Sequence, residues 1–154
     1  MPPPHFSATP LQARLGVSLI FFSNGAMCTA LLPRYPEIKA AYGLGDGRFG
    51  LLVVAFAAGA MIATGFAGRV IRGLGTLATV GVMAVALGAA LAVAGASTTV
   101  WLLVIALMVA GAVDGVMDAA MNVQGVLVER WRGRSWINSF HAIWSVGAAT
   151  GGAI

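Results

Sequence analysis

The sequence predicts an all-α membrane protein, a bundle of about five transmembrane helices, and three observations carry that prediction. Hydrophobic residues fill 59% of the 154 positions and charged residues only 9%. A soluble domain carries about 25% charged residues, so this chain has too little polar surface to cover itself in water. The uncharged stretches are long and continuous, over 15–33, 49–68, 73–113 and 135–154, and about 20 apolar residues cross the hydrocarbon core. The arginines and lysines gather in the connectors between those stretches. A membrane barrel would instead need short segments in which apolar and polar residues alternate.

Residues 1–13 read as a flexible cytoplasmic tail, with four prolines in the first ten positions. A partial transmembrane bundle then occupies 14–154. The first helix is predicted near 14–33; it has no small-residue cleavage site and further spans follow, so it is not a removable signal. The second is predicted near 47–70, with Asp46 as its cap. The third uncharged stretch is 41 residues long, about twice one span. It divides at Gly95-Ala96-Ser97-Thr98-Thr99, where glycine closes one helix and a hydroxyl caps the next. That gives helices near 75–95 and 99–128. The fifth helix, near 139–154, offers 16 residues, or about 24 Å, and is read as incomplete. The expectation is a fragment of a longer protein.

Glycines punctuate these helices. Gly45, Gly47 and Gly50 match a dinucleotide-binding fingerprint, but no strand precedes them, so they read as a turn into the second helix. Gly81, Gly88 and Gly95 recur every seven residues, and a helix is expected to pack on that small-residue face. Gly111 and Gly115, and Gly147 and Gly151, form two G-x-x-x-G pairs that let membrane helices approach closely. If the fourth and fifth helices pair antiparallel about Gly133, Asp118 lies level with Ala148 and His141 with Gly125. A direct relay between Asp114 and His141 is then not expected.

The candidate chemistry lies in the middle of the spans. Asp114, Asp118 and Asn122 are four residues apart and share one helix face. A carboxylate at the centre of a lipid-facing helix costs roughly 2.5–3.5 kcal/mol, so that face meets protein or water. Two readings stand for the carboxylates: a transport path, or a structural pair with an arginine or backbone donor. Asn24, beside Ser23 at the midpoint of the first helix, is either a link between helices or a substrate contact. Trp144 is a substrate contact or an interfacial anchor. His141, one turn before it, is a titrating gate residue or an interfacial hydrogen-bonding group. The substrate-binding candidates are therefore Asn24, Asp114, Asn122 and Trp144, and the proton-coupling or gating candidates Asp114, Asp118 and His141.

A single cysteine, Cys28, excludes an internal disulfide and a cysteine-rich metal site, and it reads as a packing residue. No phosphate loop or nucleophile–base pair is present, so neither an enzyme nor a cofactor is expected. The net charge of +4 lies in connectors, which argues against a nucleic-acid partner. The expected partners are the lipid bilayer, a small-molecule substrate and a coupling proton. With the N-terminus in the cytoplasm, Arg14, Arg69, Arg72, Arg130, Arg132 and Arg134 are cytoplasmic, against Arg34, Lys39 and Arg48 outside. That is the orientation the positive-inside rule favours.

The segment from Leu31 through Pro33-Arg34-Tyr35-Pro36 to Lys39, followed by Gly43-Leu44 and Phe49-Gly50, resembles the first outer loop of a major facilitator superfamily transporter. Asp114-Gly115-Val116-Met117-Asp118 through Gly125, with Glu129-Arg130, Gly133-Arg134-Ser135 and Phe140-His141-Ala142-Ile143-Trp144, is similar to the fucose-permease-like branch of bacterial permeases. Two positions depart from the superfamily. Gly68 and Gly75 keep the spacing of its loop motif, but Arg72 stands at the acidic position and Gly73 at the basic one. Leu107 stands where its proton antiporters often carry arginine.

The resemblance implies that this chain is the first part of a six-helix transporter half, in the bacterial inner membrane, with the C-terminal half of the same protein as partner. It implies a central cavity lined largely by the first and fourth helices. The function expected is secondary active transport of a small polar solute, such as a sugar or related metabolite, by alternating access. The alternatives are a drug or metabolite exporter of the same fold and a non-transporting membrane scaffold subunit.

Overall fold

A computed structural model describes residues 9–154. Among them are five long helices: α1 (Pro10–Thr29), α3 (Asp46–Leu74), α4 (Thr76–Gly95), α5 (Val100–Arg132) and α6 (Ile137–Gly151). A short helix, α2 (Tyr35–Ala41), follows a 3-10 turn at Leu32–Arg34. No strand occurs among the described residues. Four segments are long and apolar enough to cross a bilayer: Pro10–Ala41, Asp46–Leu74, Thr76–Gly95 and Val100–Arg132. The α6 helix has 15 residues.

Helix starts follow local chemistry. Thr9 and Gln12 form a capping box, with the Gln12 amide donating to Thr9 Oγ1 at 3.3 Å and the Thr9 amide to Gln12 Oε1 at 2.8 Å. Pro10 occupies the first helical position, where no amide hydrogen is needed. The first helix thus begins at residue 10, four positions into the expected tail; residues 1–8 of that tail lie outside the described residues. Thr99 caps α5 as expected, accepting from the Leu102 amide at 3.2 Å. Asp46 does not cap α3. Gly45 holds that position, and the Asp46 carboxylate pairs with Lys39 of α2 instead. The Tyr42 hydroxyl donates to Ser97 O at 2.7 Å, tying this segment to the α4–α5 turn.

Helices α3 and α4 are joined by Gly75 alone, at φ 79° and ψ 160°. This region of backbone space is open essentially to glycine only. Gly75→Ala should destabilise the protein by roughly 1–3 kcal/mol, although nothing within 4 Å would meet the added Cβ. Thermal melting of the detergent-solubilised protein measures this, and an unchanged midpoint would mean that the joint tolerates another geometry.

The longest helix, α5, occupies the centre and packs chiefly against α3 and α4, while α6 packs against α1. The α3–α5 and α1–α6 pairs are built on glycine. A Cβ at Gly111 would stand 1.9 Å from Phe56 O, and one at Gly59 2.0 Å from Met108 O, so α3 and α5 touch backbone to backbone. Likewise Gly25 faces Trp144 O, Gly147 faces Phe22 O and Gly151 faces Ala26 O, each leaving only 2.1–2.2 Å for a Cβ.

Two expectations fail here. The heptad glycines Gly81, Gly88 and Gly95 meet nothing within 4 Å and form no interface among the described residues. The antiparallel seam expected between the fourth and fifth helices is slight, because the G-x-x-x-G face of α6 is taken by α1. The core runs through Phe21, Leu87, Met117, Met121, Val128 and Phe140, all nearly inaccessible. Outward faces carry Leu51, Met61, Val85, Trp101 and Ile105, as a lipid-facing surface requires.

Candidate functional site

The site forms where α1, α5 and α6 meet. Asn24 on α1 is its hub and is 2% exposed. The Trp144 indole Nε1 of α6 donates to Asn24 Oδ1 at 2.8 Å. Asn24 Nδ2 donates to Asp114 Oδ1 of α5 at 2.6 Å and approaches Met117 Sδ at 3.7 Å. An indole N–H can only donate, so it fixes the amide oxygen toward α6. The amide nitrogen is thereby turned onto the carboxyl of Asp114. The orientation of Asn24 follows from chemistry on both sides.

Cys28, one turn after Asn24, donates its thiol to Asp114 Oδ1 at 3.1 Å. It is a polar member of the cluster, not only a packing residue. Among the described residues these bonds all fall on Oδ1 of Asp114. The second carboxyl oxygen, Oδ2, forms no hydrogen bond among the described residues.

Asp118 and Asn122 continue the stripe one and two turns on. The Asn122 side chain donates to Asp118 Oδ1 at 3.2 Å and to the Asp118 carbonyl at 2.9 Å. Asp118 is solvent-accessible and forms no ion pair with arginine among the described residues. Asn122 thus belongs with Asp118, not with the Asn24 cluster. Asp118, His141, Trp144, Phe21 and Met121 line an open cavity of about 210 Å³. The His141 ring lies 5.3 Å from that of Phe21. His141 therefore shares a cavity with Asp118, and Asp114 is hydrogen-bonded elsewhere. A larger concavity of about 470 Å³, between Tyr42, Leu52 and Trp101, lies away from these polar groups.

Ser23, the neighbour of Asn24 in sequence, is exposed and takes no part. Three polar arrangements lay beyond the sequence reading. Cys28 was detectable by its i, i+4 spacing from Asn24. Gln124, 6% exposed, accepts from Thr76 Oγ1 of α4 at 2.6 Å; its position in an apolar span was the signal. Glu129 accepts from the backbone amides of Trp136 and Ile137, the latter at 2.9 Å, and from the Ser135 hydroxyl at 2.8 Å. It thereby caps α6 from the last turn of α5, and only the turn geometry reveals it.

A bundle of long apolar helices closed around a buried amide and a half-buried carboxyl and indole defines a multi-pass helical membrane protein. The chain is 34% identical over 138 residues, 90% of its length, to an uncharacterized transporter of Sinorhizobium fredii (strain NBRC 101917 / NGR234). It is 33% identical over 141 residues, 92% of its length, to an uncharacterized MFS-type transporter of Yersinia pestis. Membrane protein MosC of Rhizobium meliloti is 29% identical over 113 residues, 73% of the chain and 28% of that protein. The chain spans 37% of the length of each of the first two relatives. No family model and no solved structure matches it.

Proposed function

We propose that the chain is the N-terminal part of a major facilitator superfamily transporter of the fucose-permease-like branch. It would carry a small polar solute, such as a sugar or related metabolite, by alternating access. The similarity to transporters along 90% of the chain supports the superfamily. The observation that carries the reading of the site is the Trp144–Asn24–Asp114 chain of hydrogen bonds, which draws polar groups from three helices into an apolar bundle. Asp114 Oδ2 takes no part in that chain and is available to a proton or solute. Asn24 and Trp144 hold Asp114 in place and share solute contacts with Asn122. Asp114 carries the coupling proton, and Asp118 with His141 forms the mouth of the site. The missing half of the protein closes over this face, and rocking of the two halves exposes the site alternately.

The test is uptake by the full-length protein in proteoliposomes under an imposed inward proton gradient, with a panel of labelled sugars and sugar-derived metabolites. Accumulation of at least one, competed by its unlabelled form, is expected. Flux of hydrophobic dyes with no polar solute accumulated would move the reading to an exporter. No flux of either kind would leave a scaffold.

The orientation proposed places the N-terminus in the cytoplasm of the bacterial inner membrane. In a Cys28→Ser background, which keeps a donor for Asp114, Ala40→Cys should react with membrane-impermeant thiol reagents in intact cells. Gly73→Cys should not. Both positions are exposed on the molecule, so reversed labelling would invert the topology.

A further inference from the structure

Far from the polar cluster, at the end of the bundle where α1 starts and α5 stops, three arginines and one indole line a single cavity. The Arg14 guanidinium carbon lies 4.6 Å from the centre of the Trp136 ring, and that of Arg132 lies 5.8 Å from it. Arg134 completes the wall of a cavity of about 410 Å³ that also takes in Thr9 and Leu11. These groups come from opposite ends of the chain, so the fold assembles them.

The charges are not neutralised within the chain. Among the described residues the ion pair seen is Lys39 with Asp46, and none of the three arginines has a carboxylate partner. Glu129, in the last turn of α5, is the neighbouring carboxylate, and its Oε1 is taken by the amides of Trp136 and Ile137 and the hydroxyl of Ser135. Residues 1–8 contain no aspartate or glutamate. The first turn of α1 adds its own positive end, since Thr9 and Pro10 line the cavity. Like charges held this close repel one another, and an anion relieves them. Guanidinium groups match phosphate oxygens with paired donors.

We propose that this cavity binds the phosphate headgroup of an anionic phospholipid. The flank decides between a lipid and a free anion. Leu11 and Leu15, 64% and 54% exposed, continue from the cavity along α1 as it enters the apolar part of the bundle. Acyl chains attached to the phosphate would cover them, and a free phosphate would not. Trp136 stands in the short turn between α5 and α6, and indoles favour the bilayer interface beside the ends of spans. The lipid would pin the start of α1 to the α5–α6 turn.

The experiment is native mass spectrometry of the full-length protein titrated with phosphatidylglycerol, with phosphatidylcholine as the neutral comparison. Selective retention of phosphatidylglycerol is expected. The combined variant Arg14→Gln, Arg132→Gln and Arg134→Gln should weaken it on the order of 100-fold. Arg69→Gln with Arg72→Gln, at the basic end of α3, should leave it unchanged. If the glutamine variant does not fold, the same three positions changed to lysine keep the charge but lose the forked donors, and about tenfold weakening is expected. Equal weakening by the Arg69 and Arg72 changes would overturn the proposal in favour of diffuse attraction. Displacement of the lipid by millimolar inorganic phosphate would overturn it in favour of a free-anion site.

Discussion

Asp114→Asn in the full-length protein should abolish pH-driven accumulation of the solute while leaving the fold intact. The structure explains why asparagine is the informative choice. Its side-chain oxygen can still accept from Asn24 Nδ2 and the Cys28 thiol, as Asp114 Oδ1 does at 2.6 and 3.1 Å. Only the second carboxyl oxygen is replaced, by a group that cannot carry the proton. Asp114→Ala differs: it strands the buried amide of Asn24, at a cost of about 1–3 kcal/mol, and should lower expression as well as transport. Proteoliposome uptake with and without a proton gradient separates the two, because energy-independent exchange should survive in the asparagine variant. Asp118→Asn should act on expression or gating, since Asp118 stands at the open mouth with Asn122 and His141. Full proton-driven uptake by Asp114→Asn would make Asp114 structural and move the coupling site elsewhere.

Gly111→Leu should prevent folding altogether. Even its first side-chain atom would stand 1.9 Å from the Phe56 carbonyl oxygen and 2.7 Å from the carbonyl carbon. Both are backbone atoms of α3, so no rotamer change relieves the clash and the helices must part. Overpacking costs typically 1–3 kcal/mol when side chains can yield; here the cost should exceed that range. Gly88→Ala is the matched control, with nothing within 4 Å of the new methyl, and should be neutral. Fluorescence-detected gel filtration of the solubilised variants reads the result. A monodisperse Gly111→Leu protein with an unchanged melting temperature would refute the α3–α5 packing.

Much of this architecture was legible in the sequence because lipid imposes few rules and strict ones. Uncharged length located every long helix, and the expense of burying Asp114, Asn24 and Trp144 among apolar residues singled out three members of one cluster. The partners were less legible. A G-x-x-x-G pair says that something approaches closely, but not what. Gly147 and Gly151 fit the α1 backbone as well as any other, and only the assembled bundle decides. The heptad of Gly81, Gly88 and Gly95 looked like an interface and proved to line an outer face. The short α2 helix was hidden behind Pro33 and Pro36, which sit in the first turns of the 3-10 turn and of α2. Asn122 was grouped with Asp114 by spacing, yet its hydrogen bond goes to the nearer Asp118.

The pairing of α1 with α6 also bears on how the protein is made. Synthesis delivers α1 to the bilayer before either partner of Asn24 exists. Asp114 follows 90 residues later and Trp144 120 residues later. At about 5–20 residues per second, the second delay is roughly 6–24 s. Until Asp114 is made the Asn24 amide has neither partner, and until α6 is made its oxygen and the bare backbone at Gly25 have no intramolecular match. The nascent helix therefore depends on its surroundings, at the insertion machinery or in the lipid, to shelter them until α6 arrives.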